Sequence, residues 1–219
     1  MKKFIIINFL LVATSAMAAT SPDAQVTTKS TATQEAGVIT TVIPQAGVVL
    51  ATFVGDNTSG TTTHTGLNIG ALADFGRSNL QLESGLLYRQ LGTKMSSRGV
   101  DASFDMNYIS IPFMAKYNFS GFDTNTAYLK IGAVPAFAVS RSVTAKAGSI
   151  SATVDVADET NSFDIGVGGG LGGKFNVSPG MAFVVEADYI RGLTKLNSKG
   201  GDSIYNSDLS ISAGLGIEL

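Results

Sequence analysis

The 219-residue chain has no cysteine, no tryptophan, one histidine and only 15% charged residues. Without cysteine it can form no disulfide, no metal–thiolate site and no lipoprotein anchor on an N-terminal thiol. The net charge of −2 gives no basic field for nucleic acid. No apolar run is long enough for a membrane-spanning helix, and no stretch after the first 18 residues keeps helical apolar spacing. With 44% hydrophobic residues the chain is too apolar for disorder, and with 25 glycines too glycine-rich for a helical bundle.

What the chain has is alternation. In the final stretch Leu209, Ile211, Ala213, Leu215, Ile217 and Leu219 share one parity, and Ser210, Ser212, Gly214, Gly216 and Glu218 share the other. Successive strand residues point to opposite faces, so this is a strand with one apolar side and one small or polar side. An apolar terminal strand left as an edge invites aggregation, and closing a barrel removes the edge.

Met1-Lys2-Lys3, an apolar core from Phe4 to Val12, and Ala16-Met-Ala18 form a secretory signal peptide over 1–18. Residues 19–44, rich in Thr, Ser, Ala and Gln, are expected to be a flexible periplasmic linker, and the barrel is expected over 45–219. Two-faced segments are predicted at 46–55, 64–75, 79–91, 104–119, 126–140, 162–177, 181–193 and 206–219, each long enough to cross a bilayer as a tilted strand. The connections alternate between short (76–78, 120–125, 178–180) and long (56–63, 92–103, 141–161, 194–205). That alternation fits an all-β, eight-stranded antiparallel up-and-down transmembrane barrel. Aromatic residues near both strand ends, Tyr108 and Tyr128 among them, are expected to form two interfacial belts.

Three motifs carry a resemblance. Ser212-Ala-Gly214-Leu-Gly-Ile217-Glu-Leu219 resembles the C-terminal insertion signal of bacterial outer-membrane barrels, with Leu219 where that family usually has Phe. Asn107-Tyr-Ile-Ser-Ile-Pro-Phe113 and Glu186-Ala-Asp-Tyr-Ile-Arg-Gly192 are similar to segments of PorT-like barrels. Residues 45–219 thus resemble the eight-stranded OmpA/OmpX-like and PorT-like group. The resemblance implies the outer membrane of a Gram-negative-type bacterium, contact with its lipids and lipopolysaccharide, and insertion by the barrel-assembly machinery. It brings no catalytic residues with it.

Sorting by parity sends the aliphatic rows outward and nearly all strand charges inward, because a lipid-facing charge costs about 2–4 kcal/mol at mid-membrane. Asp74, Glu83, Arg89, Lys116, Lys130, Asp164, Lys174, Glu186, Asp188 and Glu218 are expected to form a lumen ion network. An eight-stranded interior is about as wide as its side chains, so the lumen should be plugged.

Catalytic motifs are weak. Gly168-Gly-Gly170-Leu-Gly-Gly173 fits G-x-G-x-x-G, but strand alternation runs through it where a helix is required. His64 has only threonines beside it in sequence, and Glu186 with Asp188 reads as an ion-pair element. No enzyme, cofactor or metal is therefore expected. The connection from Arg141 to Asn161 alternates on both sides of Gly148-Ser149; it reads first as a mobile loop that shields the barrel top, and alternatively as an extension of the strands into a hairpin that meets a surface ligand by strand addition. The favoured reading is a plugged barrel with a structural and surface-display role. The alternatives are a narrow channel for small polar solutes, an outer-membrane lipid-modifying enzyme, and a soluble lipocalin-like exported barrel.

Overall fold

The computed structural model describes residues 39–97, 99–120, 124–197 and 201–219. The segments read as a signal peptide (1–18) and the larger part of the linker (19–38) lie outside the described residues. The strands are β1 (Ile39–Gly55), β2 (Thr61–Phe75), β3 (Leu80–Ser97), β4 (Val100–Ser110), β5 (Phe113–Asn118), β6 (Thr126–Ala147), β7 (Ile150–Asp155), β8 (Phe163–Ser178), β9 (Met181–Gly192) and β10 (Ile204–Glu218).

All pairings are antiparallel, and they close. β1 pairs with β2 on one side and β10 on the other, and β10, β9, β8, β6, β4 with β5, and β3 complete an eight-membered ring back to β2. β4 and β5 together make one member. They are parted at Ile111-Pro112, where the 104–119 segment was expected to be continuous. Proline has no N–H for the ladder, and the N–H of Ile111, between β4 and β5, bonds to the carbonyl of Pro135 in β6 (2.8 Å).

The first strand begins at Ile39, so the expected boundary between linker and barrel at 44/45 is too late. Thr40, Thr41 and Ile43 are buried inside, and Thr40 Oγ1 donates to the carbonyls of Asp74 (3.1 Å) and Gly76 (3.0 Å). Pro44 does not break the strand. It lies on the exposed outer face, opposite Ala71 of β2, and the β10 ladder passes from Val42↔Ile217 to Gln45↔Gly214.

Two of the long connections are largely strand. β3 runs to Ser97 and β4 starts at Val100, while β6 runs to Ala147 and turns back as β7, which pairs with β6 alone among the described strands. The register shift between Asn107 and Tyr108 of β4 opposite β6 changes which β6 residues face inward beyond it. Paired residues share a face. In this flap Phe104, Val143 and Val154 form one row, followed by Ala102, Ala145 and Ala152, then Val100, Ala147 and Ile150. The other face carries Lys94, Ser103, Thr144 and Thr153, then Ser96, Asp101, Lys146 and Ser151.

The distribution of polarity is that of a globular protein turned inside out. Leu80, Leu82 and Leu86 of β3, Leu129 and Ile131 of β6, Leu171 and Phe175 of β8 and Leu209 and Ile211 of β10 are exposed on the outside of the ring. Glu83, Arg89, Lys116, Lys130, Glu186 and Asp208 are buried within it. A soluble barrel cannot bear such a surface in water, which excludes the lipocalin-like alternative.

Candidate lumen ion network and outer mouth

Alternation fixes which residues enter the lumen, and register fixes their height. Near the short-turn end Gln81 Nε2 donates to the Gly76 carbonyl (2.8 Å) and Asn118 Nδ2 to Gln81 Oε1 (2.8 Å). Lys174 and Glu218 lie 3.8 Å apart at this end.

Above them is the densest cluster. Lys116 Nζ reaches Asp74 Oδ2 at 2.8 Å and Glu83 Oε2 at 3.2 Å. Lys130 Nζ reaches Glu83 Oε1 at 2.9 Å, Glu186 Oε2 at 2.8 Å and Asp188 Oδ1 at 3.2 Å. Glu83 therefore bridges the two ammonium groups, and its side chain is fully enclosed. Tyr128 Oη donates to Glu186 Oε2 (3.1 Å), and Lys116 Nζ stands 4.3 Å from the centre of the Tyr128 ring. Ile43, Leu72, Leu87 and Val184 pack with Tyr128 as an apolar lining between the charges.

Higher still, Asn68 Nδ2 donates to Ser212 Oγ (2.9 Å), and Arg89 pairs with Asp208. Asn206 Nδ2 donates to Tyr108 Oη (3.2 Å) and Asp164 Oδ2 (3.1 Å), and the Thr194 N–H donates to Asp164 Oδ1 (3.2 Å). Val49, Ala51, Leu91, Met106, Tyr108, Ala136 and Leu196 form an apolar cluster around this upper group, and Leu91, Tyr108 and Ala136 line the same small cavity as Arg89, Asp164 and Asp208.

The structure thus joins Asp74, Glu83, Lys116, Lys130, Glu186 and Asp188 in one cluster, sets Lys174 with Glu218 below it, and places Arg89 and Asp164 in a separate upper group. Asp208 shares the inner parity of Ser210 and Ser212, and Asn206 follows on the same face. Tyr108 and Tyr128 do not belong to the expected belts: both are buried in the lumen, on the parity of Ser110 and Lys130. Phe53 and Phe104 also turn inward at the mouth, 6.0 Å apart edge to face. Tyr117 with Phe119 (5.6 Å) and Phe137 with Phe163 (5.1 Å) remain outside at opposite ends.

The glycines of β8 make room for these groups. A Cβ on Gly172 would fall 2.3 Å from the Tyr128 ring, and one on Gly170 would fall 1.9 Å from Asp188 Oδ1. At the mouth His64 Nδ1 lies 3.5 Å from Asp105 Oδ1, whose carboxylate accepts from Ser103 Oγ (3.1 and 3.0 Å). The order is hydroxyl–carboxylate–imidazole, whereas hydroxyl activation needs the imidazole in the middle. Among the described residues no group of three or more His, Asp or Glu side chains is arranged to hold a metal ion.

The sequence profile of the outer membrane protein beta-barrel domain family matches residues 39–198, which run from the first strand to beyond β9. The chain belongs to this family.

Its aliphatic outer rows therefore meet the lipid of a bacterial outer membrane, and its strands cross that membrane. In such barrels the short turns are usually periplasmic and the long connections external. The outward rows change from Leu86 and Phe137 to Lys94, Ser103 and Thr144 at the root of the flap. Neisserial surface protein A (NspA) is similar in fold, at 16% identity and a TM-score of 0.50, covering 81% of this chain and 97% of that one. Ail, the attachment invasion locus protein of Yersinia pestis, aligns at 16% identity and a TM-score of 0.43, over 82% of this chain and 100% of its own. The N-terminal barrel domain of Pseudomonas aeruginosa OprF aligns at 12% identity and a TM-score of 0.37, over 83% and 98%. No curated protein matches the sequence.

Proposed function

We propose that the protein is a non-enzymatic outer-membrane barrel whose lumen is closed and whose external flap meets partners at the cell surface. The observation that carries this reading is the cluster centred on Lys116, Lys130 and Glu83. It ties β2, β3, β5, β6 and β9 together through the interior, with an apolar cluster above it. A conducting path would have to pull both ammonium groups from their carboxylates, and breaking one buried pair costs about 3–5 kcal/mol. The hydroxyl–carboxylate–imidazole order at His64 weighs against a lipid-modifying enzyme.

The flap supports display. All of β7 is exposed, and one of its edges pairs with no described strand, as strand addition by a partner chain requires. Outer-membrane lipids and lipopolysaccharide are the partners proposed for the outer face. At the C-terminus Ile217 and Leu219 stand exposed on the outside while Ser212 and Gly214 face the lumen, and we assign this strand to recognition by the barrel-assembly machinery.

The decisive experiment is single-channel recording in planar bilayers. The closed reading expects no steps at the nanosiemens level. Regular steps of that size would replace it with the narrow-channel reading.

A further inference from the structure

The external mouth contains a cup that neither the closed lumen nor the free flap edge explains. It has a volume of about 290 Å³. Phe53, Met95, Phe104, Met106, Leu196 and Ile204 form its apolar floor and wall, and the root of the flap closes one side through Ser142 and Val156. Met106 and Leu196 on its floor are buried and pack in one apolar cluster with Leu91 and Tyr108, which gives the cup a closed hydrocarbon bottom.

Three features limit what it can hold. Its volume lies at the lower end for small-molecule sites and is far too small for a protein segment with side chains. Its polar groups are neutral, and Thr58, Thr61 and Thr160 donate their hydroxyl hydrogens to the carbonyls of Gly55, Thr58 and Val156, which leaves their oxygens as acceptors for a ligand hydroxyl. Glu159 is the single ionisable side chain among the described lining residues, and Arg141 donates to the Thr160 carbonyl beside it, so no field of one sign favours an ion over a neutral ligand. The apolar rows of the flap continue outward from Met95 and Phe104, with Val100, Ile150 and Val154 exposed where the opposite flap face is polar and in water. Apolar surface at that height faces neither lipid nor the packed interior.

We propose that this cup is a binding site for a small neutral amphiphile, whose aliphatic or aromatic part fills the floor while a hydroxyl-type head group bonds the rim. Methyl shifts read the cup and single-channel recording reads the lumen, so the two proposals fail separately.

Methionine methyl NMR tests it on the full chain in lipid nanodiscs, with 1-hexanol as the neutral probe and hexanoate as its anionic counterpart. Met95 and Met106 line the cup, Met114 is buried away from it, and Met181 lies on the lipid-facing surface. The expected result is a saturable shift of the Met95 and Met106 signals with hexanol and none at Met114, with hexanoate at least ~10-fold weaker. Leu196→Trp fills the floor and should abolish the shift. Thr61→Trp narrows the rim and serves if Leu196→Trp does not fold. Signals that move without saturation in step with Met181 would show partition into the bilayer and overturn the site. So would a shift that survives the tryptophan, or hexanoate binding as well as hexanol.

Discussion

Lys130 and Ile131 are neighbours in sequence with opposite requirements. Lys130 is buried against three carboxylates, and Ile131 is 71% exposed on the lipid side. Lys130→Met keeps the length of the side chain but leaves Glu83, Glu186 and Asp188 without that ammonium. It should cost about 3–5 kcal/mol, the price of removing one partner from a buried ion cluster. Ile131→Lys puts a new charge into lipid and should cost about 2–4 kcal/mol near the midplane. Urea unfolding of the two variants in lipid vesicles measures both. Substituting Met for Lys would stabilise an ordinary apolar core, so equal or higher stability of Lys130→Met would mean that the cluster does not hold the lumen together. The faces of these two residues could be read from alternation alone. Their partners could not, because parity places a side chain on a face without saying which opposite strand meets it at that height.

At the scale of the element, β8 shows how one strand is shaped by its neighbours. Its inward glycines leave the space that Tyr128 of β6 and Asp188 of β9 occupy. Gly172→Ala should force the Tyr128 ring aside, weaken its bond to Glu186 and destabilise the barrel by about 1–3 kcal/mol, measurable by the same unfolding assay. The flap is a separable element because, among the described strands, β7 pairs with β6 alone. Deleting Ala145–Asp155 should leave a folded barrel that still migrates faster unboiled than boiled on a gel, while surface binding is lost. If binding is unchanged, the flap is not the contact. The eight members, their direction and the alternation of turns were legible because period-two patterning and turn residues are local signals. The extension of β3, β4 and β6 beyond the membrane was less so: past Thr93 and Arg141 the outward residues become polar, which in sequence resembles a loop. The start at Ile39 was hidden by Pro44, whose missing N–H is tolerated because the β10 ladder is interrupted only between Val42 and Gln45 while the pairing with β2 runs on through Ala71.

For the whole molecule, the outer surface is fitted to lipid and the interior holds layers of charge, hydrogen bond and hydrocarbon in turn. The seam between β1 and β10 completes it, pairing Val42 with Ile217 and Gly55 with Ile204. These contacts join residues nearly the full barrel sequence apart, and such distant pairings are slow to form because the chain between them must first lose its freedom. The other staves can zip up between sequence neighbours, so the seam is the kinetic bottleneck of assembly. Pro44 leaves a ladder position beside that join without a donor. Pulled from its N-terminal side, the finished barrel should therefore open there first, shedding one stave at a time.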